Sequence, residues 1–136
     1  MLAHPIVAIV FGGFILCAET CLHVDDILAP AAWTDLPLND WLAGAFLVYG
    51  GATFRRHPVR GRAVQAAAWG FMCSLLASAF LANWEEWRTQ TAPGDEWISA
   101  GAFMAILSAL LIVSVLGLVA TLAAAPPANG KTPQKD

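Results

Sequence analysis

Residues 55–62 read Arg-Arg-His-Pro-Val-Arg-Gly-Arg and separate two uncharged stretches, Trp41–Phe54 and Ala63–Asn83. This octet decides the fold. It concentrates Arg55, Arg56, Arg60 and Arg62 in a short connection that contains Pro58. Moving outward, both flanking stretches end in acidic regions. Glu19, Asp25, Asp26, Asp35 and Asp40 lie on the N-terminal side, and Glu85, Glu86, Asp95 and Glu96 on the C-terminal side. Basic character returns only in the tail, with Lys131 and Lys135. Nine of the ten carboxylates and six of the seven Lys/Arg residues thus fall at opposite ends of four apolar stretches. A soluble helical bundle gains nothing from that sorting. A chain threaded four times through a bilayer sorts its charges this way, because short Lys/Arg-rich loops stay on the cytoplasmic side.

Composition agrees. Apolar residues make up 58% of the 136 positions and charged residues 12%, against about 25% charged in an average soluble domain. The length fits one domain. The net charge of −3 averages an acidic end and a basic end. The Arg cluster has a topological explanation, which excludes a nucleic-acid-binding surface. Cys17 and Cys21 stand one helical turn apart, poor geometry for a disulfide, and together with Cys73 they read as reduced packing residues. The first apolar stretch lacks a basic n-region and a small-x-small cleavage site, so it reads as a retained helix. No lipidation motif is present.

The expected spans are Pro5–Val24, Leu36–Phe54, Ala63–Asn83 and Trp97–Ala125, with a loop over Arg55–Arg62. About twenty residues suffice to cross the roughly 30 Å hydrocarbon layer. The second span is the least apolar, and Gly50-Gly51 should loosen its inner end. The fourth exceeds what a bilayer requires. Thr34 or Asp35 can cap the second helix, with Pro37 in its first turn. Residues 1–125 form the transmembrane domain, and 126–136 read as a disordered cytoplasmic tail. Trp33, Trp41, Trp84, Trp87 and Trp97 collect at the acidic end, where indoles favour the membrane–water boundary. The fold class is therefore all-α: an integral membrane bundle of four transmembrane helices in two hairpins. Its expected place is a bacterial-type inner membrane, with both termini cytoplasmic.

Helices in lipid associate where small residues permit close approach. An unbroken i, i+4 row, Ala66, Gly70, Ser74, Ser78 and Ala82, marks the third span as a helix-docking face. Gly101, Ala105, Ala109, Gly117 and Thr121 on the fourth span, and Gly13, Cys17 and Cys21 on the first, suggest shorter versions. Gln65 and Tyr49 read as interhelical hydrogen-bonding groups.

One constellation could carry chemistry. Glu19, His23 and Asp26 are spaced i, i+4, i+7, a single stripe if the helix continues through Asp26, and Glu86 should arrive at the same depth from the third span. Three carboxylates and an imidazole on facing helices are donors suited to a divalent transition metal. They could equally share a proton, or form a structural polar cluster in which Glu19 bonds to His23. There is no Glu-x-x-His repeat of a di-iron bundle. Cys17 lies about 200° from Glu19 around the helix, which argues against a mixed thiol site, and no His sits mid-span to ligate haem. Nucleotide-binding and hydrolase motifs are missing.

Two function classes follow. The first is a non-enzymatic subunit or accessory protein that docks other membrane subunits, or itself, through small-residue faces within the lipid bilayer. The alternative is a metal-binding or proton/ion-conducting protein using Glu19, His23, Asp26 and Glu86. The missing motifs weigh against an enzyme without deciding the question.

Overall fold

A computed structural model describes residues 5–28, 38–89 and 99–124; the side chains of Asp26 and Glu86 are outside that description. Among the described residues the protein is all-helical. The elements are α1 (Pro5–Leu22), a short α2 (Val24–Leu28), α3 (Leu38–Arg56), α4 (Pro58–Thr89) and α5 (Ala100–Ala123). α1, α4 and α5 are long and apolar enough to cross a membrane. α3 falls short of the four spans expected, since Asn39, Asp40, Arg55 and Arg56 occupy its ends.

The expected Arg55–Arg62 loop does not exist as a loop. α3 runs through Arg56 and α4 starts at Pro58, so His57 alone interrupts the helices. Proline suits the first helical position, where its missing N–H would have had no partner. α3 also stays helical through Gly50-Gly51, because the pair is used for close approach rather than for bending. α1 ends at Leu22, yet His23 N donates to Glu19 O and Ile27 N donates to His23 O, so the break before α2 is slight.

Each long helix packs chiefly on its neighbour in the chain: α1 on α3, α3 on α4, α4 on α5. The pairs are antiparallel. Gly12 meets Gly44, while Pro5 and Ile9 meet Gly51. Gly50 meets Gln65, and Gly61 lies against the backbone of Thr53 and Phe54. Between α4 and α5, Trp69 meets Gly117 and Gln65 meets Thr121. The start of α1, the α3–α4 junction and the end of α5 therefore share one end of the bundle. Glu19, Asp40 and Glu85 belong to the other.

The close contacts differ from the small-residue rows expected from spacing. A Cβ on Gly12 would stand 2.5 Å from Gly44 O, and one on Gly51 2.6 Å from Pro5 O. By contrast, nothing lies within 4 Å of a Cβ built on Gly13 or Gly70. Ser74, Ser78 and Ala82 are exposed, as are Cys17 and Cys21, and α4 instead turns Gln65, Ala68, Trp69, Met72 and Leu76 inward. On α5 the inward residues are Met104, Leu107, Ser114, Gly117 and Thr121, so only the last part of its expected row is buried. The reason is physical. Helices that are apolar all round carry no amphipathic phase, and α4 buries Trp69, Met72 and Leu76 while Ser74, Ser78 and Ala82 face outward. Val10, Phe14, Leu81, Ile112 and Val119 are each more than half exposed, which leaves the outer surface apolar.

Helix ends follow local chemistry. Ser99 caps α5, its Oγ accepting from Ala102 N at 3.3 Å, the usual use of a serine hydroxyl for an orphan helix donor. The expected start at Trp97, the Thr34 or Asp35 cap, Pro37, Trp33, and the tail beyond Ala125 all lie outside the described residues.

Candidate functional site

The acidic end is assembled from α1, α2, α3 and α4. On α1, Glu19 is a partly buried carboxylate one turn from the helix end, and His23 occupies the break that follows. His23 Nδ1 lies 3.1 Å from the Glu19 carbonyl oxygen and 3.6 Å from Oε2. The first is a hydrogen bond in the tautomer that protonates Nδ1; the second is an electrostatic contact beyond bonding distance. That tautomer leaves Nε2 as an acceptor.

A further carboxylate at this end of the bundle is Asp40, in the first turn of α3. It stands at the same end of the antiparallel bundle as Glu19 and His23. Antiparallel packing of α1 on α3 brings the C-terminal end of one helix beside the N-terminal turn of the other. Asp40 is also well placed for the positive end of the α3 dipole. Sequence reading counted Asp40 only among the acidic residues that mark one end of the spans. No spacing rule links it to Glu19, because the two share no helix.

Of the residues expected at this site, the structure pairs Glu19 with His23. Asp26 lies on α2 and Glu86 near the end of α4, but their side chains lie outside the described residues. Glu85 is exposed and turned to Arg88, whose Nη2 donates to Oε1 at 2.7 Å. An exposed pair of this kind contributes little to stability. Among the described residues, no three His, Cys, Asp or Glu side chains are close enough together to hold a metal ion. Cys17, Cys21 and Cys73 are free thiols.

Aromatic groups border this end. Phe80 stacks on Trp84 at 5.7 Å between ring centroids, and Trp84 meets Trp87 at 5.0 Å. Their spacing places them along one side of α4, with both tryptophans partly exposed.

The opposite end carries a polar connection that crosses helices. Arg62 Nε donates to Thr121 O at 3.1 Å, and Nη2 donates to Leu122 O. The guanidinium thereby caps the C-terminus of α5, where carbonyls lack helical partners and positive charge is favoured. One turn inward, fully buried Gln65 donates from Nε2 to Thr121 Oγ1 at 3.4 Å, and Thr121 Oγ1 donates to Gly117 O at 2.7 Å. Gln65 thus fulfils its expected interhelical role, whereas Tyr49 is 61% exposed and faces out of the bundle. Gln65 Oε1 and Trp69 Nε1 are buried without a hydrogen-bond partner among the described residues. Sequence reading assigned Arg62 to a loop and missed its capping role, although a long-armed cation one helical turn from Gln65 was an available signal.

Comparison with protein-family models, curated proteins and solved structures finds no match to this chain.

Proposed function

We propose that this protein is a small non-enzymatic subunit of a bacterial-type inner membrane, crossing it four times with both termini cytoplasmic. The observation that carries the reading is the distribution of charge over the antiparallel bundle. Arg55, Arg56, Arg60 and Arg62 gather at one end, with Glu19, Asp40 and Glu85 at the other, and apolar side chains cover the exterior between them. α3 carries its charges only near its ends and packs on both α1 and α4, which supports its crossing with them as the second span. Lys/Arg bias then sets the orientation.

A docking role draws support from α4. Its small-residue face, with Gly70, Ser74 and Ser78, is turned away from the other helices and leaves open space beside Gly70. Such a face permits the close helix approach on which association in lipid depends. A photoactivatable residue at Ser74 should form adducts with another polypeptide, a second copy or a different subunit. The same residue at Val119, on the exterior of α5, should not. Lipid adducts alone from both positions would remove the docking role.

The second reading is a metal or proton site at the acidic end built from Glu19, His23, Asp26 and Glu86, and the Glu19–His23 pair is what supports it. Zn²⁺, Mn²⁺, Fe²⁺ and Cu²⁺ should be tested for a rise in melting temperature, since a ligand that binds only the native state stabilises it. A rise abolished by both Glu19→Gln and His23→Ala would favour this reading over the docking one.

A further inference from the structure

The basic end of the bundle contains a groove that neither the docking face nor the acidic end uses. It lies at the α3–α4 junction, has a volume of about 470 Å³, and is lined by Arg56, His57, Pro58, Val59 and Arg60. The fold creates it by confining the reversal between two long helices to His57, so that Arg56 ends one helix while Arg60 stands in the first turn of the next. Both arginines are exposed. Of the other arginines, Arg62 bonds to the carbonyls of α5 and Arg88 to Glu85, while Arg55 is exposed in the last turn of α3. Glu19, Asp40 and Glu85 are at the far end of the bundle, so they do not neutralise this groove.

We infer that the Arg56–Arg60 groove binds the phosphate of an anionic lipid headgroup. The inference rests on the membrane reading above, because that reading puts this end of the helices at headgroup depth. Three features identify the ligand. Guanidinium groups present forked donors that match phosphate oxygens. The groove wall is apolar as well as basic: Val59 is 68% exposed beside the two arginines, a combination suited to a phosphate attached to a glycerol and acyl chains. The junction also joins α4, a helix long enough to cross a membrane, to α3. Anionic headgroups attract basic residues next to spans at this depth.

The test uses the full chain purified in detergent and supplied with phosphatidylglycerol, phosphatidylcholine or inorganic phosphate, with lipid retention read by native mass spectrometry. The wild-type protein should retain phosphatidylglycerol in preference to phosphatidylcholine. R56Q/R60Q should weaken that retention by about 30-fold, the factor expected for loss of two cations near an anionic surface. R88Q, at the acidic end, should bind as the wild type does. Equal retention of both lipids by the wild type, or unchanged phosphatidylglycerol retention by R56Q/R60Q, would overturn the inference. Millimolar inorganic phosphate that displaces the lipid completely would reassign the groove to a free anion. Alkaline extraction of cell membranes separates this question from the membrane reading. R56Q/R60Q should stay in the membrane pellet with the wild type, whereas release of the wild type itself would remove the membrane reading.

Discussion

Trp69 of α4 occupies the space that a side chain on Gly117 of α5 would need. A Cβ on Gly117 would lie 2.6 Å from Trp69 Cε2 and 2.7 Å from Cδ2. The indole is fully buried, with Phe11 of α1 at 5.5 Å between ring centroids. Trp69 therefore links α1, α4 and α5, and the glycine is what permits it. Gly117→Ala should destabilise the bundle by about 1–3 kcal/mol, the usual penalty for overpacking against a rigid group. Trp69→Ala should cost about 3–5 kcal/mol through the cavity left behind. Unfolding in detergent, followed by the signal of a tryptophan other than Trp69, checks both. A Gly117→Ala protein as stable as the wild type would show that the indole can move aside.

The glycines on α1 and α4 should respond in opposite ways. Gly12→Leu forces a side chain into the backbone of Gly44 and should prevent α1 from docking on α3, whereas Gly70→Leu points into open space. Backbone cannot yield as a flexible side chain can, so Gly12→Leu should lower the melting temperature strongly. Gly70→Leu should leave the melting temperature of the isolated chain near wild type while reducing association with a docking partner. Equal destabilisation by both would contradict the packing described here.

Removal of Arg62 should loosen the last turn of α5. Arg62→Ala deletes donors to Thr121 O and Leu122 O, and should cost about 1.5–3 kcal/mol, as for hydrogen bonds from a charged group. Amide exchange should accelerate at the end of α5 rather than throughout the bundle. Arg88→Ala, which loses only an exposed ion pair, should cost less than about 1 kcal/mol.

Gln65→Leu should be tolerated. Thr121 Oγ1 keeps its 2.7 Å bond to Gly117 O without the amide, and the substitution removes a buried Oε1 that has no partner. Replacing an incompletely satisfied buried amide by an apolar group of similar size should change stability by no more than about 1 kcal/mol. Gln65→Glu should be much worse, because it places a carboxylate in the same dry position. Thermal unfolding of the two variants side by side checks the order.

The proposed orientation predicts the compartment of each helix end. Reporter fusions at His57 and Asp136 should report the cytoplasm, and a fusion at Gly94 should report the outside. An external signal from His57 would reverse the assignment of both ends.

The apolar stretches, the charge sorting and the helical class were legible in the chain itself, because length, hydropathy and charge are local properties that summation along the sequence preserves. The Glu19–His23 pair was legible for the same reason, since its i, i+4 relation lies within one turn. Spacing could not supply the rotation of each helix about its axis. In helices that are apolar on every side, the face turned inward is chosen by the fit of Trp69 to Gly117 and of Gly12 to Gly44, neither of which leaves a period in the sequence. The bond from Arg62 to the end of α5 and the approach of Asp40 to Glu19 join groups on different helices. Only the tertiary structure, by setting antiparallel register and axial rotation together, could bring the first pair into contact and the second to the same end of the bundle.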